Sequence, residues 1–97
     1  MKNANITLTN KQTELLQNTN YSNMPYNEAK ILFDELCKNI DNEIHCYVKK
    51  INELNETIEN DNKNNFEKKV FIEYFQEQIK INVLFKTLLT EKFYNET

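Results

Sequence analysis

The sequence contains no glycine and no arginine. Glycine supplies positive φ angles and lets backbone approach a phosphate closely, so its absence excludes Gly-rich phosphate loops, dinucleotide fingerprints and the Gly-x-Ser-x-Gly nucleophile elbow. Tight Asn-Gly hairpins are excluded too, which argues against a sheet-rich fold. Without arginine, the chain has no bidentate clamp for carboxylate, phosphate or guanine.

Lysine is the single strong base, asparagine occurs seventeen times, and the formal net charge of the 97 residues is −3. Such a bias is expected of AT-rich coding, as in low-GC bacteria, their phages and plasmids, or AT-rich parasites. No run of 18 apolar residues and no apolar signal segment occurs, and two cysteines fit a reduced compartment. We therefore expect one cytoplasmic domain with no membrane span and no cofactor.

Residues 1–24 form a polar lead-in in which Thr9 or Asn10 can cap a short helix over residues 11–18. Pro25 is the one proline of the chain, and Glu28 follows it within one turn. Proline suits the first turn of a helix and glutamate suits its positive end, so the main helix is predicted to begin at Pro25.

The next segment carries apolar residues at alternating spacings of four and three, which is a heptad pattern. A strand cannot produce this period, so the pattern predicts a long helix over about residues 25–60 with one narrow apolar stripe, called the seam below. The seam consists of Phe33, Cys37, Ile40, Ile44, Tyr47, Ile51, Leu54 and Ile58.

Residues 60–65 contain no apolar side chain and five Asn or Asp, which favours a turn over an uninterrupted helix, the alternative. A second helix is predicted over about residues 66–94. One of its faces should dock antiparallel on the seam. That face comprises Phe66, Val70, Tyr74, Ile81, Leu84, Phe85 and Leu88, widened by Phe71 and Leu89. The predicted fold is therefore all-α: a lead-in over 1–24 and a coiled-coil-like helical hairpin over 25–97, which a second copy could extend into a dimeric bundle.

The second helix carries another apolar stripe on a different face, formed by Ile72, Phe75, Ile79 and Val83. A two-helix hairpin cannot bury both faces, and large exposed apolar patches are rare on monomers. Three alternatives could cover this stripe: a second copy of the chain, a different protein, or the lead-in, which would fold back through Ile6, Leu8, Leu15 and Leu16. The stripe is the predicted partner-binding site.

Metal-binding and catalytic groups are sparse. Cys37, Asp41 and His45 follow each other four apart, a spacing that metal sites use on helices. Since Cys37 belongs to the seam and one helix face seldom closes a site, we interpret the trio as a buried cysteine beside a surface histidine. A Cys–His nucleophile would need an orienting group and an oxyanion site. We predict no metal site, no catalytic residue and no enzymatic activity.

Charge is uneven, because residues 25–60 carry eight carboxylates against four lysines. Glu53, Glu56 and Glu59 lie three apart and form a candidate acidic contact face, with an ordinary solvated helix face as the alternative. Phosphate backbones require a basic patch, and the lysine doublets at 49–50 and 68–69 have acidic neighbours. We therefore expect no direct binding of nucleic acid.

These features favour a non-enzymatic protein that binds another protein or a second copy of itself. Small size, AT-rich coding and acidity fit a phage or mobile-element antagonist that inhibits a host defence machine by covering a functional surface. One alternative is a secretion or assembly chaperone: the length and hairpin layout resemble the small helical-hairpin proteins of the Trp-x-Gly secretion family, although the turn here reads Asp-Asn-Lys-Asn-Asn. The other alternative is a self-assembling structural coiled coil.

Overall fold

A computed structural model describes residues 6–60 and 65–97, and it confirms the all-α helical hairpin. Helix α1 spans Asn10–Asn18 and is followed by a 3-10 turn over Tyr21–Asn23. Helix α2 spans Tyr26–Asn60 and helix α3 spans Asn65–Glu96. No strand occurs in the described ranges. Most of the predicted turn, residues 61–64, lies outside them.

Local capping chemistry sets the start of each N-terminal element. Thr9 caps α1 through a capping box, in which its hydroxyl accepts from the Gln12 backbone N–H and the Gln12 side-chain oxygen accepts from the Thr9 N–H, both at 3.1 Å. The carbonyl of Pro25 accepts from the Ala29 N–H at 3.0 Å. Helix α2 therefore begins directly after the proline, as predicted.

Helices α2 and α3 run antiparallel, so contacts that move forward along α2 move backward along α3. Phe33 stacks on Phe93, with ring centroids 4.4 Å apart. Further along α2, Asp41 pairs with Lys86 at 2.9 Å. Tyr47 then packs on the ring of Phe75 at 5.7 Å between centroids. All seam residues of α2 are buried or half-buried, which is what a heptad stripe facing a partner helix requires.

The core lies at the end of the hairpin that carries the start of α2 and the end of α3, called the base below. One buried cluster contains Tyr21, Ala29 and Phe93. The other contains Ile40, Phe85 and Leu89, with Leu8 and Leu16 packed against it. The described part of the lead-in thus folds back over the base, but the buried cluster that it packs against contains no residue of the stripe that the sequence expected it to cover.

The predicted docking face of α3 is confirmed at the base, where Phe85 and Leu89 are buried with the seam residue Ile40, but it is wrong in the other half of the helix. Phe66, Val70 and Tyr74 are exposed, whereas Phe75 and Ile79 are half-buried. A helical wheel weights every apolar side chain equally, but the seam is narrow and contacts a single line of α3. That line includes the polar Asn82, which is buried and which a hydrophobic pattern passes over.

Candidate partner-binding surface

Within residues 6–60 and 65–97, the half of the hairpin away from the base consists of α2 and α3, and its α3 side presents an apolar surface. Four side chains form it, and we call them the distal surface. Their residues are Phe66, Val70, Phe71 and Tyr74, exposed at 80 %, 48 %, 55 % and 52 %. Spacings of four place Phe66, Val70 and Tyr74 in one row along the helix, with Phe71 beside it.

The inner edge of the distal surface is held in place by Phe75. The ring of Phe71 stacks on that of Phe75 at 6.5 Å, and the ring of Tyr74 meets it edge-on at 5.5 Å. Phe75 is itself fixed between Tyr47 and the Nζ of Lys50, which lies 5.4 Å from the ring centroid. This cation–π contact and the aromatic pairs hold the rings of Phe71 and Tyr74 in a preformed arrangement.

The distal surface continues, along α3, the face that α1 covers at the base. Gln78 follows Tyr74 by four residues and Phe71 by seven, so the three share one face. Gln78 also lines a cavity of about 350 Å³ beneath the start of α1. The other lining residues come from all three helices and are Thr9, Lys11, Gln12, Leu15, Leu36, Asn39, Ile40, Glu43, Asn82 and Phe85. Among the residues that the structure describes, the groove between the helices is therefore occupied by α1 at the base and empty beyond Gln78.

Asn82 connects the three helices through its amide and is only 3 % exposed. Its Nδ2 donates to the Glu43 carboxylate at 3.3 Å and to the Gln78 carbonyl at 2.9 Å, and its Oδ1 accepts from Gln12 Nε2 at 3.3 Å. Sequence reasoning missed this residue, although a lone polar position in an apolar line was the available signal. These hydrogen bonds satisfy the buried amide and help to hold α1 against α2 and α3.

The rim of the empty groove is acidic. On α3, Glu67 and Glu77 are exposed beside the distal surface at helical spacing from Tyr74. On α2, Glu43 lines the cavity, and the exposed Glu53 lies ten residues further along, about 80° around the helix. Two lysines lie on the same side: Lys11 lines the cavity, and the Lys50 ammonium lies over the Phe75 ring. Within the described ranges, none of these carboxylates takes part in an ion pair.

The predicted partner-binding stripe divides in the structure. Ile72, Phe75 and Ile79 are half-buried along the hairpin, while Val83 is 49 % exposed. Val83 lies thirteen residues after Val70, which puts the two about 140° apart around the helix axis. The stripe is therefore no single exposed surface, and its role in binding stays a prediction that geometry favours less than the distal surface.

The other predicted groups are dispersed. Glu53 and Glu56 are exposed, and the side chain of Glu59 lies outside the described residues. Asp41 pairs with Lys86, and His45 is exposed.

The two cysteines differ in their exposure. Cys46 is exposed, and burial raises the pKa of the Cys37 thiol, which disfavours the nucleophilic thiolate. Both are free cysteines. Over residues 6–60 and 65–97, no three His, Cys, Asp or Glu side chains cluster closely enough to hold a metal ion.

Comparison with protein-family models, curated proteins and solved structures found no match. Among the helices in the described part of the chain, none has the length and apolarity needed to cross a lipid bilayer.

Proposed function

We propose that this protein is a non-enzymatic binding module whose distal surface docks on another protein. The observation that carries the proposal is the exposure of four apolar side chains, three of them aromatic, on one preformed face. Their exposed area is on the order of 400 Å², from the usual size of such side chains. Patches of this size are often functional, and aromatic residues are frequent anchors of protein interfaces.

The mode of action that we propose is occlusion. A rod that measures 55 × 27 × 18 Å can lie along a groove of a larger protein and keep other ligands out. The AT-rich coding bias and the net acidity support the more specific proposal that the chain is a phage or mobile-element antagonist of a host defence machine. A chaperone that shields a client segment would use the same surface.

The two valines give a matched test of the binding surface. Val70 and Val83 share residue type, helix and exposure but lie on different sides of α3. A photo-reactive amino acid is placed at one position or the other, and the protein is illuminated in cells of its source organism. We expect an adduct with a second, different protein from position 70 and none from position 83.

Each other outcome has a defined meaning. Adducts from position 83 alone would refute the distal surface and restore the stripe predicted from the sequence. Equal adducts from both positions, or none from either, would refute the proposal. An adduct between two copies of the chain would favour the self-assembling coiled coil, and light scattering over a tenfold concentration range would then show a dimer.

A further inference from the structure

The direction of α1 shows which part of the groove is left empty. Gln12, in the first turn of α1, contacts Asn82, and Leu16 shares a shallow cavity with Leu88. Further on, the Tyr21 N–H donates to the Glu96 carboxylate at 2.8 Å. Helix α1 therefore runs parallel to α3 and covers its last part, and the capped start of α1 faces the distal surface.

The empty part of the groove has the dimensions of a short helix. From Phe66 to Gln78 the groove extends for twelve residues of α3, or about 18 Å at 1.5 Å per residue. A helix of three to four turns fills that length. The groove walls are two helices that offer no strand edge in the described ranges, so an extended segment would find no backbone partners.

We infer that the occupant of the distal surface is an amphipathic, basic helix of the partner protein, lying end to end with α1 and completing a three-helix bundle. The inference deepens the proposed function and rests on it. Continuity with the α1 interface argues for a helix, because the same face of α3 already accepts one at the base.

Charge complementarity argues for a basic helix. The rim carries four carboxylates, of Glu43, Glu53, Glu67 and Glu77, against two lysines, Lys11 and Lys50. Opposite charges at an interface rim speed encounter and select partners. The partner helix would place apolar residues at spacings of three and four on Phe66, Val70 and Tyr74, and lysine or arginine along both edges.

Two synthetic peptides test the chemistry of the occupant. Both are sixteen-residue amphipathic helices with leucines at spacings of three and four; one carries lysine at every polar position and the other carries glutamate. Binding of each labelled peptide to the full-length protein is measured by fluorescence anisotropy at 0.15 M salt. We expect the lysine peptide to bind at least about tenfold more tightly than the glutamate peptide.

Neutral substitutions of the matched valines test the location. Val70→Gln introduces no charge and does not lower helix propensity. We expect it to weaken the binding of the lysine peptide about tenfold. Val83→Gln should leave the affinity within about twofold. Circular dichroism of both variants checks that the helices are intact. Equal binding of the two peptides, or equal effects of the two substitutions, would overturn the inference.

The tests separate this inference from the proposed function. If the photo-reactive residue at position 70 cross-links a partner in cells but neither peptide binds, the surface is a binding site and the inference of a basic helix is wrong. If light scattering shows a dimer that Val70→Gln converts to a monomer, the occupant is a second copy and the inference is also overturned. If position 70 traps nothing, the proposed function itself fails.

Discussion

The two ends of α3 should respond very differently to the same substitution. Phe93 is 2 % exposed and joins the lead-in, α2 and α3. Its ring stacks on Phe33 at 4.4 Å and meets Tyr21 edge-on at 5.3 Å. Phe66, near the other end of the same helix, is 80 % exposed. Replacing each phenylalanine by alanine compares a core anchor with a surface residue in identical chemistry.

The magnitudes follow from the buried areas. A buried phenylalanine removes roughly 200 Å² from water, which at about 25 cal/mol per Å² amounts to about 5 kcal/mol. Measured Phe→Ala changes in cores cost about 3–5 kcal/mol, so Phe93→Ala should cost about 4 kcal/mol. About a fifth of the Phe66 side chain is buried, so its removal should cost about 1 kcal/mol of unfolding free energy. The better helix propensity of alanine offsets roughly half of that cost.

Urea unfolding followed by circular dichroism at 222 nm measures both changes. A domain of this size has a free energy of unfolding of about 5–15 kcal/mol, so Phe93→Ala should remove a large share of it while Phe66→Ala leaves the midpoint nearly unchanged. If Phe66→Ala destabilised the protein as much as Phe93→Ala, the distal surface would be part of the core. The reasoning from exposure would then be refuted, and so would the proposed binding surface.

Four further predictions concern the base and the flexibility of the hairpin. The Tyr21 hydroxyl is buried and has no hydrogen-bond partner in the described part of the chain. Tyr21→Phe should therefore leave the free energy of unfolding in urea unchanged or raise it by up to about 1 kcal/mol. A decrease of more than about 1 kcal/mol would show that the hydroxyl does have a partner. Burial raises the pKa of Tyr21 from 10.0 to about 12, so an absorbance titration should show at least one phenol that ionises well above pH 10, and its absence would contradict this. The Lys92 ammonium and the Tyr21 N–H donate hydrogen bonds to Glu96 and lower the pKa of its carboxyl below 4.5. The stability that this carboxylate contributes is therefore complete above pH 4.5 and is lost as the pH falls through the lowered value. Glu96→Gln should flatten the acid limb of a plot of unfolding free energy against pH, and an unchanged limb would contradict this. Amide protons of residues 66–78 should exchange faster than those of residues 82–93, because no third helix in the described part of the chain covers them. Equal protection of the two segments in hydrogen exchange measured by mass spectrometry would contradict this.

The sequence predicted the elements well because their signals are local and periodic. The heptad spacing from Phe33 to Ile58 can arise from a helix and not from a strand, and the structure has one helix over that whole stretch. Pro25 and Thr9 mark the starts of α2 and α1 through the missing proline N–H and a side-chain cap, which need no tertiary information.

The docking face of α3 could not be predicted in the same way, because it depends on what lies opposite each turn. Near Phe75 the opposing element is α2 alone, whereas near Phe85 both α2 and the lead-in are present. One helix therefore uses a narrow contact line in one half and a broad one in the other, and a single wheel averages the two. Asn82 was missed for a related reason, since its burial depends on partners 39 and 70 residues away in the sequence.

The uneven cover of the hairpin links stability to binding. The base holds the buried clusters and ties the lead-in to α3, so it stabilises both long helices without help from the distal surface. Because Phe75 contacts the rings of Phe71 and Tyr74, these two side chains are held in place before any partner arrives, and their binding loses less side-chain entropy than that of freely rotating rings would. A surface that contributes little to folding is also free to change with its target. Substitutions at Phe66 or Val70 should therefore alter partner choice while the hairpin stays folded.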